Sequence, residues 1–295
     1  MQTLRSLNNC RHPHGWQVEV FIVANACSDD TLKGLASFQN ETAGGLPLDW
    51  IEEPIPGKSN ALNRAMPLLQ SDMVAFVDDD HRLTEDYLVN VCHSVEHYPE
   101  ADLFCGRILP DWNGREPAWV HDSGPYRIYP LPVPRFDQGD QPKQLNLDTA
   151  IPGGGNLFLK REWLTRVGNF SLDYGPTGHD LGGAEDLEWV KRALRLGARL
   201  QYFPEVVKYH YDDVDRLNLS YLLRKAFVRS ASTVRLADDK DFSGVPPFIY
   251  RKIASYLLSA VFVLSWKKRR FYLVRLAAAL GEMRGYLHRR SDRLQ

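Results

Sequence analysis

Three consecutive carboxylates, Asp78, Asp79 and Asp80, follow directly on the apolar run Met73–Val77. Such a run reads as a buried strand, and the carboxyl end of a strand is where open α/β sheets bind ligands. Oxygen donors at i and i+2, here Asp78 and Asp80, can hold a hard cation against a diphosphate. An acidic loop or helix cap is the plain alternative. Glu185-Asp186 opens a helix-like segment, where a carboxylate favours the helix N-terminus and by itself reads as a capping pair. Gly153-Gly154-Gly155 lets the backbone come close to another group, with Asn156 offering an amide, although a turn before a strand explains the glycines equally well. His210 follows in Lys208-Tyr209-His210-Tyr211; a neutral imidazole can complete an Asp/Asp/His metal site, and a lone histidine is more often structural.

These residues need elements to carry them. Strand-like runs alternate with helix-like periods through the first third, the mark of βαβ units. Strands are expected at Val18–Val23, Leu48–Ile51, Met73–Val77, Asn156–Leu159 and Arg199–Phe203, the last ending at Pro204. Helices are expected from Asp29, from Ser59 with Pro67 shortening it, from Thr84 with Leu88, Val91, Cys92 and Val95 on one face, and from Glu185 with Gly197 as its C-cap. Residues 110–150, rich in Pro, Asp and Gly, read as an irregular excursion.

The 295 residues, 44% hydrophobic and 11% aromatic, supply a proper core. Cys10, Cys27, Cys92 and Cys105 lack C-x-x-C spacing, so no zinc site or disulfide framework is indicated and a reducing compartment is expected. No signal peptide is expected at the N-terminus. The net charge of -1 hides an asymmetry: from Arg251 onward eleven Lys/Arg face only Glu282 and Asp292, a charge of +9 that leaves -10 on residues 1–250. Ile253–Trp266 is apolar but short for a spanning helix, which needs about 20 residues. An interfacial or re-entrant helix pair on an anionic membrane surface is therefore expected, with Lys267-Lys268-Arg269-Arg270 at the headgroups and no nucleic acid as partner. A buried helix pair is the alternative.

Taken together, Val20–Thr31, Gly57–Asn63, Phe76–Asp80, Gly153–Leu157 and Gly183–Glu188, with Pro204 and His210 after them, resemble the inverting family-2 glycosyltransferases of the GT-A type. The resemblance covers roughly residues 4–235 and rests on the order of the motifs. It implies a GT-A Rossmann-like α/β fold with a mostly parallel sheet flanked by helices. Three parts are expected: residues 1–109 as the nucleotide-sugar half, 110–245 as the acceptor half and 246–295 as a membrane-associated helical tail. It further implies that Asp80 binds Mg²⁺ or Mn²⁺, that Asp78 contacts the ribose or the metal, and that His210 is the third ligand. Asp186 becomes the general base, with Glu185 supporting it. Asn25, Asp29, Lys58, Asn63, Asp79, Gly154, Gly155, Asn156, Arg216 and Arg224 are implied as donor contacts, with Lys225 beside them.

The expected reaction moves a sugar from a nucleotide diphosphate, UDP by preference, to a saccharide or lipid-linked hydroxyl acceptor at the cytoplasmic membrane face. Two departures stand out. Ala24-Asn25 replaces the aspartate that often reads uracil, and the first strand is missing, which suggests a protein shortened at its N-terminus by about 20 residues, the size of one βα unit. Two other readings are a membrane-associated scaffold that has lost donor binding and a sugar-phosphate nucleotidylyltransferase. The latter would want a Gly-rich, basic N-terminal loop that is not present.

Overall fold

A computed structural model describes the chain apart from residues 43, 130–132, 174–184, 212–213, 215–216, 237–243 and 293–295, and the side chains of 235–236 and 289–292. After α1 (Gln2–Asn8), β1 (Val20–Asn25) and β2 (Leu48–Glu53) pair in parallel around α2 (Thr31–Glu41), a βαβ unit of the kind the alternating runs predict. Helix α3 (Lys58–Ala65) leads on to the second sheet. That sheet holds β3 (Met73–Ala75), β4 (His81–Leu83), β5 (Leu103–Pro110), β6 (Lys143–Leu145), β7 (Leu157–Lys160) and β8 (Leu200–His210). Their order is β3-β7-β5-β8-β4, with β6 also paired to β8.

The sheet is mixed, which corrects the expectation of a mostly parallel one. Ladders β1–β2 and β5–β8 are parallel, while β3–β7, β5–β7, β4–β8 and β6–β8 are antiparallel. A parallel return needs a crossover element, and among the described residues no α-helix lies between β5 and β7. Val20 of β1 and Met73 of β3 pack against one cluster with Leu7 of α1, yet no ladder joins the two strands. No described strand stands between them.

Side chains of β5 and β7 alternate between two cores, so both faces of the sheet centre are buried. Leu103, Cys105, Leu157 and Leu159 meet Trp163 and Leu164 of α5 (Glu162–Val167) and Trp189 and Val190 of α6 (Glu185–Arg195). On the other face Phe104 and Phe158 stack at 5.2 Å, beside Tyr87 and Leu88 of α4 (Tyr87–His97). Strand β8 does not stop at Pro204. The β5–β8 register shifts between Cys105 and Arg107, whose partners are Tyr202 and Val207, and the proline falls inside that irregularity, where no ladder hydrogen bond is asked of its nitrogen.

The described residues gather into two compact units: those within 1–111, 134–173 and 185–211 in one, those within 112–133 and 212–292 in the other. Phe136 bonds back to Ile108 and β6 joins β8 in the first unit, whereas Val120 and Val133 pack on Leu217 in the second. The second unit is built on α7 (Leu219–Leu236), α8 (Pro247–Phe262) and α9 (Trp266–Asp292). Gly281 and Gly285 bring α9 against the α7 backbone; a Cβ on Gly281 would lie 2.8 Å from the Phe227 carbonyl carbon, and one on Gly285 2.7 Å from Ala231 O. No described helix is long and apolar enough to cross a membrane.

Candidate active site

The short turn Gly154–Asn156 before β7 is the meeting point of the acidic residues. None of its glycines has a positive φ, so the need for glycine is one of space. A Cβ on Gly155 would overlap Asp78 Oδ2 and lie 2.7 Å from Asp78 Cγ, and one on Gly154 would lie 2.9 Å from Asp186 Cβ. From beneath, Lys208 of β8, fully buried, donates to Phe76 O at 2.7 Å and Gly155 O at 2.6 Å. It thus ties the strand that delivers the aspartates to the glycine turn. Burial lowers the Lys208 amine to about 7, against the pull of Asp78.

Lys58, at the start of α3, donates to Asp78 Oδ1 at 2.7 Å. Burial alone would raise the Asp78 carboxyl, but Lys58, His81 and Lys208 outweigh it and hold it below its ordinary value. Burial likewise opposes the Lys58 charge, and Asp78, Asp186 and Glu185 together raise its pKa. Asp186, in the first turn of α6, accepts from Gly154 N through Oδ2 and from Leu187 N at 2.7 Å through Oδ1. Glu185, 2% exposed, begins the same helix.

Asp80, His81 and His210 form the described cluster able to hold a metal ion, with ligand atoms within 4.8 Å of one another. His81 and His210 are cross-strand partners on β4 and β8, their rings edge to face at 5.5 Å, and His210 Nε2 lies 3.0 Å from Asp80 Oδ2. Asp80 Oδ1 and His81 Nε2 are buried without hydrogen-bond partners, which an ion would satisfy. Burial, reinforced by Lys208, pushes His81 down to about 4, so the ring is neutral near pH 7, as a ligand must be. His81 Nδ1 accepts from Asp78 N at 3.2 Å. Ligation through Nε2 therefore requires the ring proton to move to Nδ1, with loss of the Asp78 N hydrogen bond. Two imidazoles and a carboxylate suit Mn²⁺ better than Mg²⁺, which prefers oxygen. Asp78, expected beside Asp80 as a ligand, lies outside this cluster and pairs with Lys58.

The three asparagines each hydrogen-bond to backbone groups. Asn25 donates to Glu53 O and Ile55 O at 3.0 and 2.7 Å and accepts from Gly57 N at 2.8 Å, fastening the end of β1 to the loop before α3. Asn63 pairs with both backbone groups of Phe170, at 2.9 and 2.8 Å. Asn156, fully buried, pairs in the same way with Gly106, at 2.6 and 3.2 Å. Asp29 is exposed and caps the start of α2 through Thr31. Asp79 accepts from Thr3 Oγ1 through its carbonyl at 2.6 Å, and its carboxyl, raised by burial and by Asp80 and Asp78, lines a small cavity with Arg82 and Asp111. Arg224 and Lys225 lie on α7 in the second unit, while Arg216 and the 174–183 loop fall outside the described residues.

The chain is 36% identical over 87 residues to the beta-monoglucosyldiacylglycerol synthase of Trichormus variabilis, a match covering 30% of this chain and 18% of that protein. It is 26% identical over 122 residues to the glucosyl-dolichyl phosphate glucuronosyltransferase of Haloferax volcanii, covering 41% and 37%. These matches span well under half of the curated relatives. Among solved structures, S. aureus TarS 1-349 in complex with UDP superposes with a TM-score of 0.51 at 17% identity, covering 99% of this chain and 87% of that one. The mannosyltransferase PcManGT of Pyrobaculum calidifontis, in complex with GDP-Man and Mn²⁺, gives 0.55 at 19% identity, covering 94% and 81%. Both share the mixed α/β fold. The family profile described as Glycosyl transferase family 2 matches residues 2–168, more than half of the 295 residues, and the chain belongs to that family of glycosyltransferase enzymes.

Proposed function

We propose that the chain is a metal-dependent inverting glycosyltransferase that moves a sugar from a nucleotide diphosphate to a hydroxyl acceptor. The observation that carries this reading is the convergence of Asp186, Asp78 and Lys58 on the Gly154-Gly155 turn, next to the Asp80/His81/His210 cluster. Asp186 takes the proton from the acceptor hydroxyl as its oxygen attacks the anomeric carbon. The bond from that carbon to the diphosphate oxygen breaks on the opposite face, so a single displacement inverts configuration and needs one base. Lys58 and the glycine-turn amides lie beside the donor. A divalent cation held by Asp80, His81 and His210 would supply positive charge to the departing diphosphate.

TarS has been solved with UDP-GlcNAc and PcManGT with GDP-Man, so both nucleotides belong in the donor screen, with UDP-sugars first. The names of the two curated relatives, one a glucosyldiacylglycerol synthase and the other acting on a dolichyl phosphate, favour a lipid-linked acceptor in glycolipid or polysaccharide synthesis. Leu258, Val261, Phe262, Leu264 and Trp266 are 57, 60, 77, 95 and 56% exposed, immediately before Lys267–Arg270. An apolar face bordered by cations suits peripheral attachment to the cytoplasmic face of an anionic membrane.

The test is nucleoside diphosphate release from a sugar-nucleotide panel with Mn²⁺. Asp186→Asn is expected to lower kcat by roughly 10²–10⁴-fold while leaving UDP affinity intact. Undiminished turnover would remove Asp186 from the role of base. For the membrane, Val261→Glu/Phe262→Glu should abolish flotation with anionic vesicles, and flotation of the variant equal to that of the wild type would refute the attachment face.

A further inference from the structure

Helices α7, α8 and α9 of the second unit border a cavity of about 390 Å³, within the size range of small-molecule sites. The transfer reaction gives it no part. Four cations line it, Lys225, Arg229, Lys252 and Arg275, against one carboxylate, Glu282, leaving three positive charges in excess. Glu282 is already engaged by Lys252 at 2.9 and 3.2 Å. Arg275 lies 5.7 Å from the ring of Tyr256, and both Arg229 and Arg275 are exposed. The remaining lining is largely apolar, and Ile128, Leu222 and Ala279 are 5, 2 and 1% exposed.

Charge at the solvent side and hydrocarbon below is an unusual pairing for a sugar site. A neutral saccharide asks for amide and carboxylate partners, and this lining offers one carboxylate, already paired. Two guanidiniums and an ammonium match the oxygens of a phosphate, since each guanidinium can donate two parallel hydrogen bonds. An apolar floor rewards a hydrocarbon chain.

We propose that this cavity binds one anionic amphiphile, a lipid whose phosphate meets Lys225, Arg229 and Arg275 while its chain lies against Ile128, Leu222 and Ala279. The proposal is independent of the transfer reaction, and its test uses no turnover. Full-length protein is titrated with short-chain dihexanoyl phosphatidylglycerol below its micelle concentration, and in parallel with dihexanoyl phosphatidylcholine and inorganic phosphate. Binding is read by calorimetry. Saturable one-to-one binding of the phosphatidylglycerol is expected, about tenfold weaker in Arg229→Gln, as befits the loss of a charge-assisted contact. Ala278→Phe, which narrows the cavity from the α9 side, should weaken it as well. Phosphatidylcholine should bind at least tenfold more weakly, and phosphate alone should not saturate. Equal affinity for the two lipids, phosphate binding as tightly as the lipid, or wild-type binding by both variants would each overturn the proposal. UDP and Mn²⁺ binding by the same variants reports on the donor site separately and should not change.

Discussion

The glycine turn offers the sharpest test of the site's construction, through Gly155→Ala. The backbone there is outside the left-handed region, so alanine costs nothing in φ and its effect is steric alone. The added methyl would lie 2.7 Å from Asp78 Cγ and 2.8 Å from His81 Cε1. Ordinary contact between carbons begins near 3.5 Å, so Asp78 must retreat by about 0.8 Å and His81 by about 0.7 Å. Asp78 cannot retreat and keep its 2.7 Å bond to Lys58. A displacement of that order at a reacting centre costs roughly 10²-fold in rate, about 2.7 kcal/mol. Overpacking should cost about 1–3 kcal/mol of stability, so most of the protein stays folded. The assay is kcat/KM for the donor at saturating Mn²⁺, with a thermal melt beside it. Gly153→Ala is the control, since its Cβ would sit at 3.4 Å from Asp186 Oδ2, an ordinary contact, and activity should change less than about threefold. If Gly155→Ala keeps wild-type activity, or if Gly153→Ala does equal damage, the close approach described above is not what shapes the site.

Removal of one imidazole, His81→Ala, should raise the Mn²⁺ concentration for half-maximal binding at least tenfold, read by electron paramagnetic resonance of free Mn²⁺; unchanged affinity would remove His81 from the ligand set. The Lys58–Asp78 pair sets a pH window. Asp78 is held below its ordinary value, so its contribution is present above about pH 4 and is lost as pH falls through the lowered pKa; Lys58 is held above its own, so its contribution is lost only in strong alkali. Wild type should therefore melt higher than Lys58→Met near pH 7, the gap closing in acid, and a gap that widens as pH falls would contradict the pairing. Among the cysteines, Cys27 is exposed while Cys10, Cys92 and Cys105 are buried with thiols pushed up by burial, Cys10 to about 11 and Cys92 to about 12. At pH 8 the native protein should give one fast thiol and the denatured protein four; two or more fast thiols would mean the core is open there.

Much of this was readable from the chain because the strongest signals are local. The apolar run Met73–Val77 announces a strand and the acids after it announce a strand end, whatever the rest of the protein does. The helix from Glu185 and its Gly197 stop are equally local, and Gly197 does adopt a φ of +92°. What depended on distant partners was not readable. His81 looks like one more polar residue after three aspartates, and only the β4–β8 ladder sets it opposite His210. Its one sequence signal is the alternation His81-Arg82-Leu83, too short to read as a strand. An asparagine amide serves a ligand or a backbone group equally well, and for Asn25, Asn63 and Asn156 the deciding fact is which distant carbonyls and amides need a partner. Pro204 read as a stop because the opposing irregularity at Gly106 lies about a hundred residues earlier in the chain.

The cross-strand pairing of His81 and His210 has a consequence for how the cluster is inherited. Its two imidazoles are set opposite each other by a single three-residue ladder, His81–Leu83 against Lys208–His210, with the Lys208 anchor two residues away on the same strand. One inserted or deleted residue between Pro204 and Lys208 would swap histidine for a tyrosine neighbour and turn the lysine away from the glycine turn in the same stroke, because side chains alternate with period two. Point substitutions can tune such a cluster one ligand at a time, whereas length changes in this stretch erase ligand and anchor together. The backbone ladder, rather than any ion, sets the two imidazoles opposite each other, so the protein should keep its sheet with or without added metal.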